Sequence, residues 1–322
     1  VAELWLPYDR MSRSMRSAYA ADDPRLTTMI RRYRRDVFDL LRTTNSVIFS
    51  AERLLRLTEV EAHRFRQDLE EVGFADFQIV LYVRDPADHY LSRMQQNLKN
   101  SSTVLNPVSY RYPFRRTVEV WEAVFPGCLD VRTFSAHQGF DVVQDFSGVV
   151  QEFLGVALPP AQERANETVS AECMEILQRY RSTFHKQRDD VVTADSVRLL
   201  QLLGQSRVER QTRPTLRPEI AAWVRANHRD DIACVAERYG VDLRMDCVGV
   251  REPVELNRDN LGVADVLECI NSDAVTELLL WIAKSQLDRP RALPVRLAKR
   301  FLPSGLVGRL SRLRSRLAPR KR

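Results

Sequence analysis

Cysteine is scarce in this sequence and poorly spaced for cross-linking. Five cysteines (Cys128, Cys173, Cys234, Cys247 and Cys269) are scattered through 322 residues, with no CxxC pair. The odd count and wide spacing argue against a disulfide framework or a zinc ribbon and suit a reducing compartment, so a cytoplasmic location is expected. The five histidines are isolated and form no HExxH, so no structural metal is expected. No signal peptide is expected from the pattern of these residues, and they hold no apolar run of the roughly 18–20 residues needed to span a bilayer. The greasiest segment, LLLWIA at 278–283, is far shorter and reads as part of a buried helix. Acidic charge is missing from one region only. Residues 289–322 hold twelve of the 49 basic side chains and no Asp or Glu, leaving 37 against 43 acidic groups elsewhere. The net charge of +6 therefore describes the tail. The body is net acidic, which argues against a nucleic-acid-binding role.

What is present is a chain with 44% apolar residues, enough for a sizeable core. Leu26, Met29, Ile30, Tyr33, Val37, Leu40 and Leu41 recur at helical spacing and predict an amphipathic helix over 26–41. SVIFS at 46–50 is short, apolar and β-branched, and predicts a buried strand. Thr58 with Glu61 three residues on is a capping-box pattern that opens a helix to about Val72, ended by Gly73. FQIVLYV at 77–83 predicts a second buried strand, and Asp85-Pro86 supplies an N-cap and a first helical residue for the next helix. That helix turns Tyr90, Leu91, Met94 and Leu98 inward, with Asp88, Ser92, Gln95 and Lys99 on a separate face. A helix at 117–125, a strand at 129–135 and helical patterning from about 160 complete the alternation, which predicts an α/β layer with a parallel sheet.

The junction after the second strand carries the chemistry. In open α/β sheets, ligands bind outside the carboxyl ends of the strands. Arg84 stands at such an end, where a guanidinium can grip a phosphate through two parallel hydrogen bonds. The Ser92 hydroxyl, on the next helix, can add one bond to the same anion. The competing expectation is structural: Arg84 paired with a neighbouring acid, and Ser92 on a solvated face.

The segment YVRDPADHYLSRMQQNLK resembles the YLRxxxDYLxSxYxQxVK pattern of bacterial carbohydrate-type sulfotransferases. VIFSAERL at 47–54 is similar to that family's IIxSSExL strand end. YPFRRTVEVWEAVFP resembles its YxxxLxxWxxxFG helix, NETVS at 166–170 an NxSLS segment, and NHRDDIACVAERYGV at 227–241 a late NxxLAxxYG helix. The likeness runs from about residue 26 to 245. It implies an α/β, P-loop-NTPase-like three-layer fold with a parallel sheet and a helical C-terminal half. The donor it implies is 3′-phosphoadenosine 5′-phosphosulfate, and the acceptor a carbohydrate or glycolipid hydroxyl. Arg84 and Ser92 carry over as 3′-phosphate ligands. Glu52, two residues past the end of the 46–50 run, carries over as the general base, a role that partial burial would favour by raising its pKa. Its structural alternative is a first-turn glutamate serving a helix N-terminus.

The sequence departs from the family in one place. The strand and glycine-rich GxxKTGTT turn that hold the 5′-phosphosulfate are not found in these residues. The opening VAELWLP looks like the part of the family's chain beyond that turn and its helix, with ELWLP as the second strand. The expectation is of an N-terminally truncated chain or of a variant that has lost the turn, inactive as it stands in either case, with an unpaired sheet interior unless ELWLP or another segment fills the gap. The domain expected is 1–288, with its sheet core up to about 160 and helices over 161–288. In the basic tail 289–322, Leu306, Leu310, Leu313 and Leu317 form a stripe flanked by arginines, a form that can lie on an anionic membrane surface on its inner face. Two other functions are open: a non-catalytic nucleotide- or glycan-binding protein on the same scaffold, and a peripheral membrane protein acting through the tail. His89 and His137 are read as structural or exposed, and His185, in a polar stretch, as solvated. Lys99 is read as too far along its helix to replace the missing lysine. Arginine-rich, lysine-poor usage suggests a bacterial source.

Overall fold

Two apolar runs pair to make the sheet. In the computed structural model, which describes residues 2–135, 140–159, 168–186, 191–243, 256 and 260–287, β1 (Ile79–Arg84) lies parallel to β2 (Leu129–Phe134). Their register sets Ile79 opposite Leu129 and Arg84 opposite Phe134. Parallel strands need a crossover, and the chain between them supplies helices α4 (Pro86–Leu98) and α5 (Phe114–Val124). Before β1 come α1 (Arg13–Ala18), α2 (Pro24–Leu41) and α3 (Glu59–Glu71), with 3-10 turns at Ala2–Leu4, Tyr8–Arg10 and Glu52–Arg56. After β2 come α6 (Val142–Leu154), α7 (Ala171–Phe184), α8 (Ala194–Gly204), α9 (Pro218–Ala226), α10 (Arg229–Tyr239), α11 (Val263–Val266) and α12 (Ser272–Leu287). The protein is mixed α/β and mostly helical.

The helix signals hold where caps carry them. Asp23 caps α2 by accepting the Arg25 N–H at 2.9 Å, with Pro24 in the first turn. Thr58 and Glu61 form the reciprocal box at α3, the Thr58 N–H reaching Glu61 Oε2 at 2.8 Å. Gly73 then turns the chain at φ +103°, a conformation that side-chain-bearing residues rarely adopt.

Two expected strands are not strands. Residues 46–50 form no strand, although Val47 and Phe49 turn toward the core while Ile48 and Ser50 are exposed. The period of two survives there, but no neighbouring strand among the described residues bonds to it. ELWLP begins in the 3-10 turn Ala2–Leu4 and continues as irregular chain instead. Trp5 and Leu6 are nonetheless buried: Trp5 packs edge-on to Phe65 with centroids 4.8 Å apart and donates Nε1–H to Asp68 Oδ2 at 2.6 Å. The segment thus anchors itself through one amphipathic ring, an aromatic pair contributing about 0.5–1.5 kcal/mol beyond its buried area. Among the described residues the sheet has two strands, so the three-layer sheet expected from the sequence is not seen. The helical expectation beyond 160 is met, with one isolated antiparallel bridge joining Leu216 to Leu267.

The chain groups into two compact units, each made of separate segments. The first is Val1–Tyr90, Pro107–Asn166 and Glu219–Val254. It holds the sheet. Leu81, Val83 and Val131 pack with Phe114 and Val118 of α5 and with Ile232 and Val235 of α10. A second cluster in the same unit gathers Trp5, Phe38, Leu41, Phe65, Trp121 and Phe125, with Ile79 and Leu129 packed against it. The other unit is Leu91–Asn106, Glu167–Pro218 and Glu255–Arg322. Its core joins Ile176 and Leu177 of α7, Leu199 and Leu203 of α8, and Val275 and Leu278 of α12. Leu278 belongs to the LLLWIA run, which is helical as expected, with Leu278 buried and residues 279–283 half-buried.

Glu172 pins this second core together. Its side chain is fully buried and accepts the N–H groups of Thr212 and Asn271, each at 2.9 Å. Burial pushes its pKa up, but those N–H groups hold it down more strongly, and the net pKa lies below the usual glutamate value. No helix among the described residues is long and apolar enough to cross a membrane. The tail 289–322, His137 and the Asn166–Glu167 part of NETVS lie outside the described residues.

Candidate functional site

The site is built where β1 hands over to α4. Asp85 comes directly after the last strand residue and is itself buried. Its Oδ1 accepts the N–H groups of Ala87 at 2.9 Å and Asp88 at 3.1 Å, while Pro86 brings no N–H to satisfy. Its Oδ2 accepts Nε–H of Arg225, at the end of α9, at 2.8 Å. Both side chains are only 10% exposed, so this is a buried ion pair. The acid next to Arg84 is therefore already committed to a different arginine.

Arg84 has no such partner. Its guanidinium lies over the ring of Phe134, its register partner on β2, 5.3 Å from the centroid. Its Nε is buried and meets no hydrogen-bond acceptor among the described residues. No carboxylate pairs with it among the described residues. The structural alternative for Arg84, a salt bridge to a neighbouring acid, is thus not what this strand end contains. A buried N–H of a charged group left unsatisfied is costly, and such groups are normally matched by protein, water or ligand.

An aromatic and imidazole cluster stands beside it. Burial pushes the Tyr112 phenol up to about 12, with the Arg84 main-chain N–H and guanidinium acting in the opposite sense. Tyr112 stacks on His89 with centroids 3.6 Å apart and planes 15° from parallel, and His89 Nδ1 bonds the Tyr110 hydroxyl. The Tyr112 N–H donates to Nε2 of the buried His228 at 2.7 Å, and Nδ1 of His228 lies 2.6 Å from the Val224 carbonyl. The proton is therefore on Nδ1, and Nε2 is the acceptor. Burial, above all, lowers the His228 pKa. Arg111 adds to that effect, and the Val224 carbonyl and Asp85 oppose it. His89 serves this packing, in keeping with the structural role read from the sequence. His185 is largely buried and bonds Asp195 through Nε2 at 2.8 Å, so it is not the solvated residue expected.

Ser92 sits midway along α4, half-buried and without a hydrogen bond among the described residues. It is not on a fully solvated face, and it belongs to the second compact unit. Glu52 is the first residue of the 3-10 turn Glu52–Arg56 and is exposed, so the partial burial wanted of a general base is missing. No hydrogen bond or ion pair joins Glu52 to Arg84. The pairing of Asp85 with Arg225, 140 residues away, and the placement of His228 were invisible in the sequence. Asp85 carried a complete local explanation as a cap, and nothing in its spacing pointed to α9. Comparison with protein-family models, with curated proteins and with solved structures finds no match to this chain.

Proposed function

We propose that the β1–α4 junction is an anion site for the 3′-phosphate of 3′-phosphoadenosine 5′-phosphosulfate, on a sulfotransferase-type protein whose acceptor is a carbohydrate or glycolipid hydroxyl. The fold implied is the P-loop-like three-layer arrangement, of which the parallel β1–β2 pair and its helical crossover are one part. The observation that carries this proposal is the unpaired Arg84, buried at Nε and lacking any acid among the described residues, at the carboxyl end of a parallel strand. Ser92, two turns along α4, is the second ligand, and Glu52 the candidate base.

Isothermal titration calorimetry with adenosine 3′,5′-bisphosphate tests the assignment. Arg84→Ala should weaken binding about tenfold to a hundredfold, the worth of a charge-assisted hydrogen bond, and Ser92→Ala by a few-fold. Unchanged affinity in Arg84→Ala removes the assignment.

A second function is favoured by two features: the exposure of Glu52, and the lack of a glycine-rich phosphate turn within these residues. In that case the protein holds a nucleotide or a glycan without transferring sulfate. No sulfate release from the donor is expected of this chain, and robust turnover would exclude this second function. Contact with an anionic membrane through 289–322 is a third, separable proposal. Sedimentation with phosphatidylserine vesicles should lose the protein when that segment is deleted.

A further inference from the structure

Most half-buried amides in the second unit are satisfied by the protein. Asn97 donates to the Thr103 carbonyl at 2.7 Å. Gln178 donates to the carbonyls of Leu261 at 2.8 Å and Ser102 at 3.2 Å, and accepts the Val263 N–H at 2.8 Å. One stripe is different. Ser92, Gln95 and Lys99 lie within about 60° of arc on α4 and the residue just past its end, at ~100° per residue. All three are half-buried, and none makes a hydrogen bond or an ion pair among the described residues. Lys99 stands at the C-terminal end of the helix, where a lysine ordinarily bonds the last carbonyls. It makes no such bond, and its ammonium is partly withdrawn from water with no described carboxylate to compensate it. Desolvation alone lowers its pKa.

We propose that Gln95 and Lys99 form a recognition site for an anionic saccharide, the amide holding ring hydroxyls and the ammonium a carboxylate or sulfate on the sugar. An amide is both donor and acceptor, which matches vicinal hydroxyls. A lone cation in a partly desolvated position matches one negative group. The stripe is ~10 Å long from Ser92 to Lys99, at ~1.5 Å per residue, so it accommodates more than a single functional group. The identification of the ligand as a saccharide rests on the proposed function. The unpaired stripe itself does not.

The test is calorimetry on the full chain with two probes of like backbone: a tetrasaccharide of alternating glucuronate and N-acetylglucosamine, and the neutral N-acetylglucosamine tetramer. The acidic probe should bind at least about tenfold more tightly. Lys99→Ala should abolish that preference and Lys99→Arg should keep most of it. Gln95→Ala should weaken both probes. Adenosine 3′,5′-bisphosphate binding should be unaffected by Lys99→Ala, which also shows that the variant is folded. Equal affinity for the two probes, or a preference that survives Lys99→Ala, overturns the inference while leaving the Arg84 assignment standing. Bisphosphate binding that ignores Arg84→Ala, beside a Lys99-dependent preference for the acidic probe, does the reverse.

Discussion

Replacing Asp85 by Asn tests the buried pair with Arg225 almost alone. Asparagine keeps the size of the side chain and leaves an oxygen to accept the Ala87 and Asp88 N–H groups, so the cap on α4 is retained. The other carboxylate oxygen becomes an NH₂ group aimed at Arg225 Nε, 2.8 Å away. The guanidinium is left charged, 10% exposed and facing a donor. Removing one partner of a buried ion pair costs about 3–5 kcal/mol, because the remaining charge stays desolvated. Asp85→Ala also loses the cap and should cost about 1 kcal/mol more. For a domain of this size, at ~2–4 °C per kcal/mol, Asp85→Asn should lower the unfolding midpoint by about 6–20 °C. Urea unfolding at pH 7, monitored by circular dichroism, measures the free energy directly. The double variant Asp85→Asn/Arg225→Leu should recover much of the loss, since a neutral, apolar replacement of a buried pair is often close to neutral. A cost below about 1 kcal/mol for Asp85→Asn would refute the picture of a desolvated pair, because surface pairs contribute only that much.

Glu172→Ala leaves the Thr212 and Asn271 N–H groups without an acceptor, at about 1–3 kcal/mol for each buried donor, and should be among the most destabilising changes in the second unit when measured by urea unfolding. Because the folded pKa of Glu172 is lowered, its stabilisation is fully present above the ordinary glutamate value of 4.5 and is lost as pH falls through the folded value; an acid titration of stability should be shallower in Glu172→Gln than in wild type. His228 has the same sign for a different reason. Its folded pKa is below 6.5, so the unfolded chain takes up a proton first and stability falls as pH drops below 6.5 toward the folded pKa; comparing urea midpoints at pH 7.5 and 5.5 should show a smaller drop in His228→Gln, and an identical drop would exclude His228 as a source.

The parts of the fold legible in the sequence were those decided by neighbours in the chain. Thr58 with Glu61 and Asp85 with Pro86 each fix a helix start within four residues, and both helices begin there, whereas α2 begins at Pro24, two residues before the start its apolar spacing predicted. The 77–83 and 129–135 runs were legible as strands because each has a partner in the structure. The 46–50 run has the same composition and the same alternation but no partner among the described residues, and a strand exists only as part of a ladder. For ELWLP, burial of Trp5 and Leu6 was decided by hydrophobicity, and backbone conformation by the absence of a described neighbour. At the candidate site, the position of Arg84 at a strand end was legible and its environment was not. Whether an arginine is paired depends on where the acids of distant segments lie, and no local pattern encodes that.

One carboxylate beside two guanidiniums explains why the strand end can carry an unpaired charge. Asp85 has two oxygens, one spent on the α4 N-terminus and one on Arg225. Three of the roughly four lone-pair sites of the carboxylate are thus taken, and Asp85 makes no hydrogen bond or ion pair to Arg84, although the two residues adjoin in the chain. The Phe134 ring beneath it offers a quadrupole and not a hydrogen bond, so it supports the guanidinium without saturating its N–H groups. Burial of Nε then sets the energetic sign. A cation with a dry, unmatched donor gains more from an incoming anion than one already bonded to a carboxylate, because the anion displaces no existing partner. The Asp85–Arg225 pair thus engages the acid nearest to Arg84 in the chain, and Arg84 is left with the Phe134 ring.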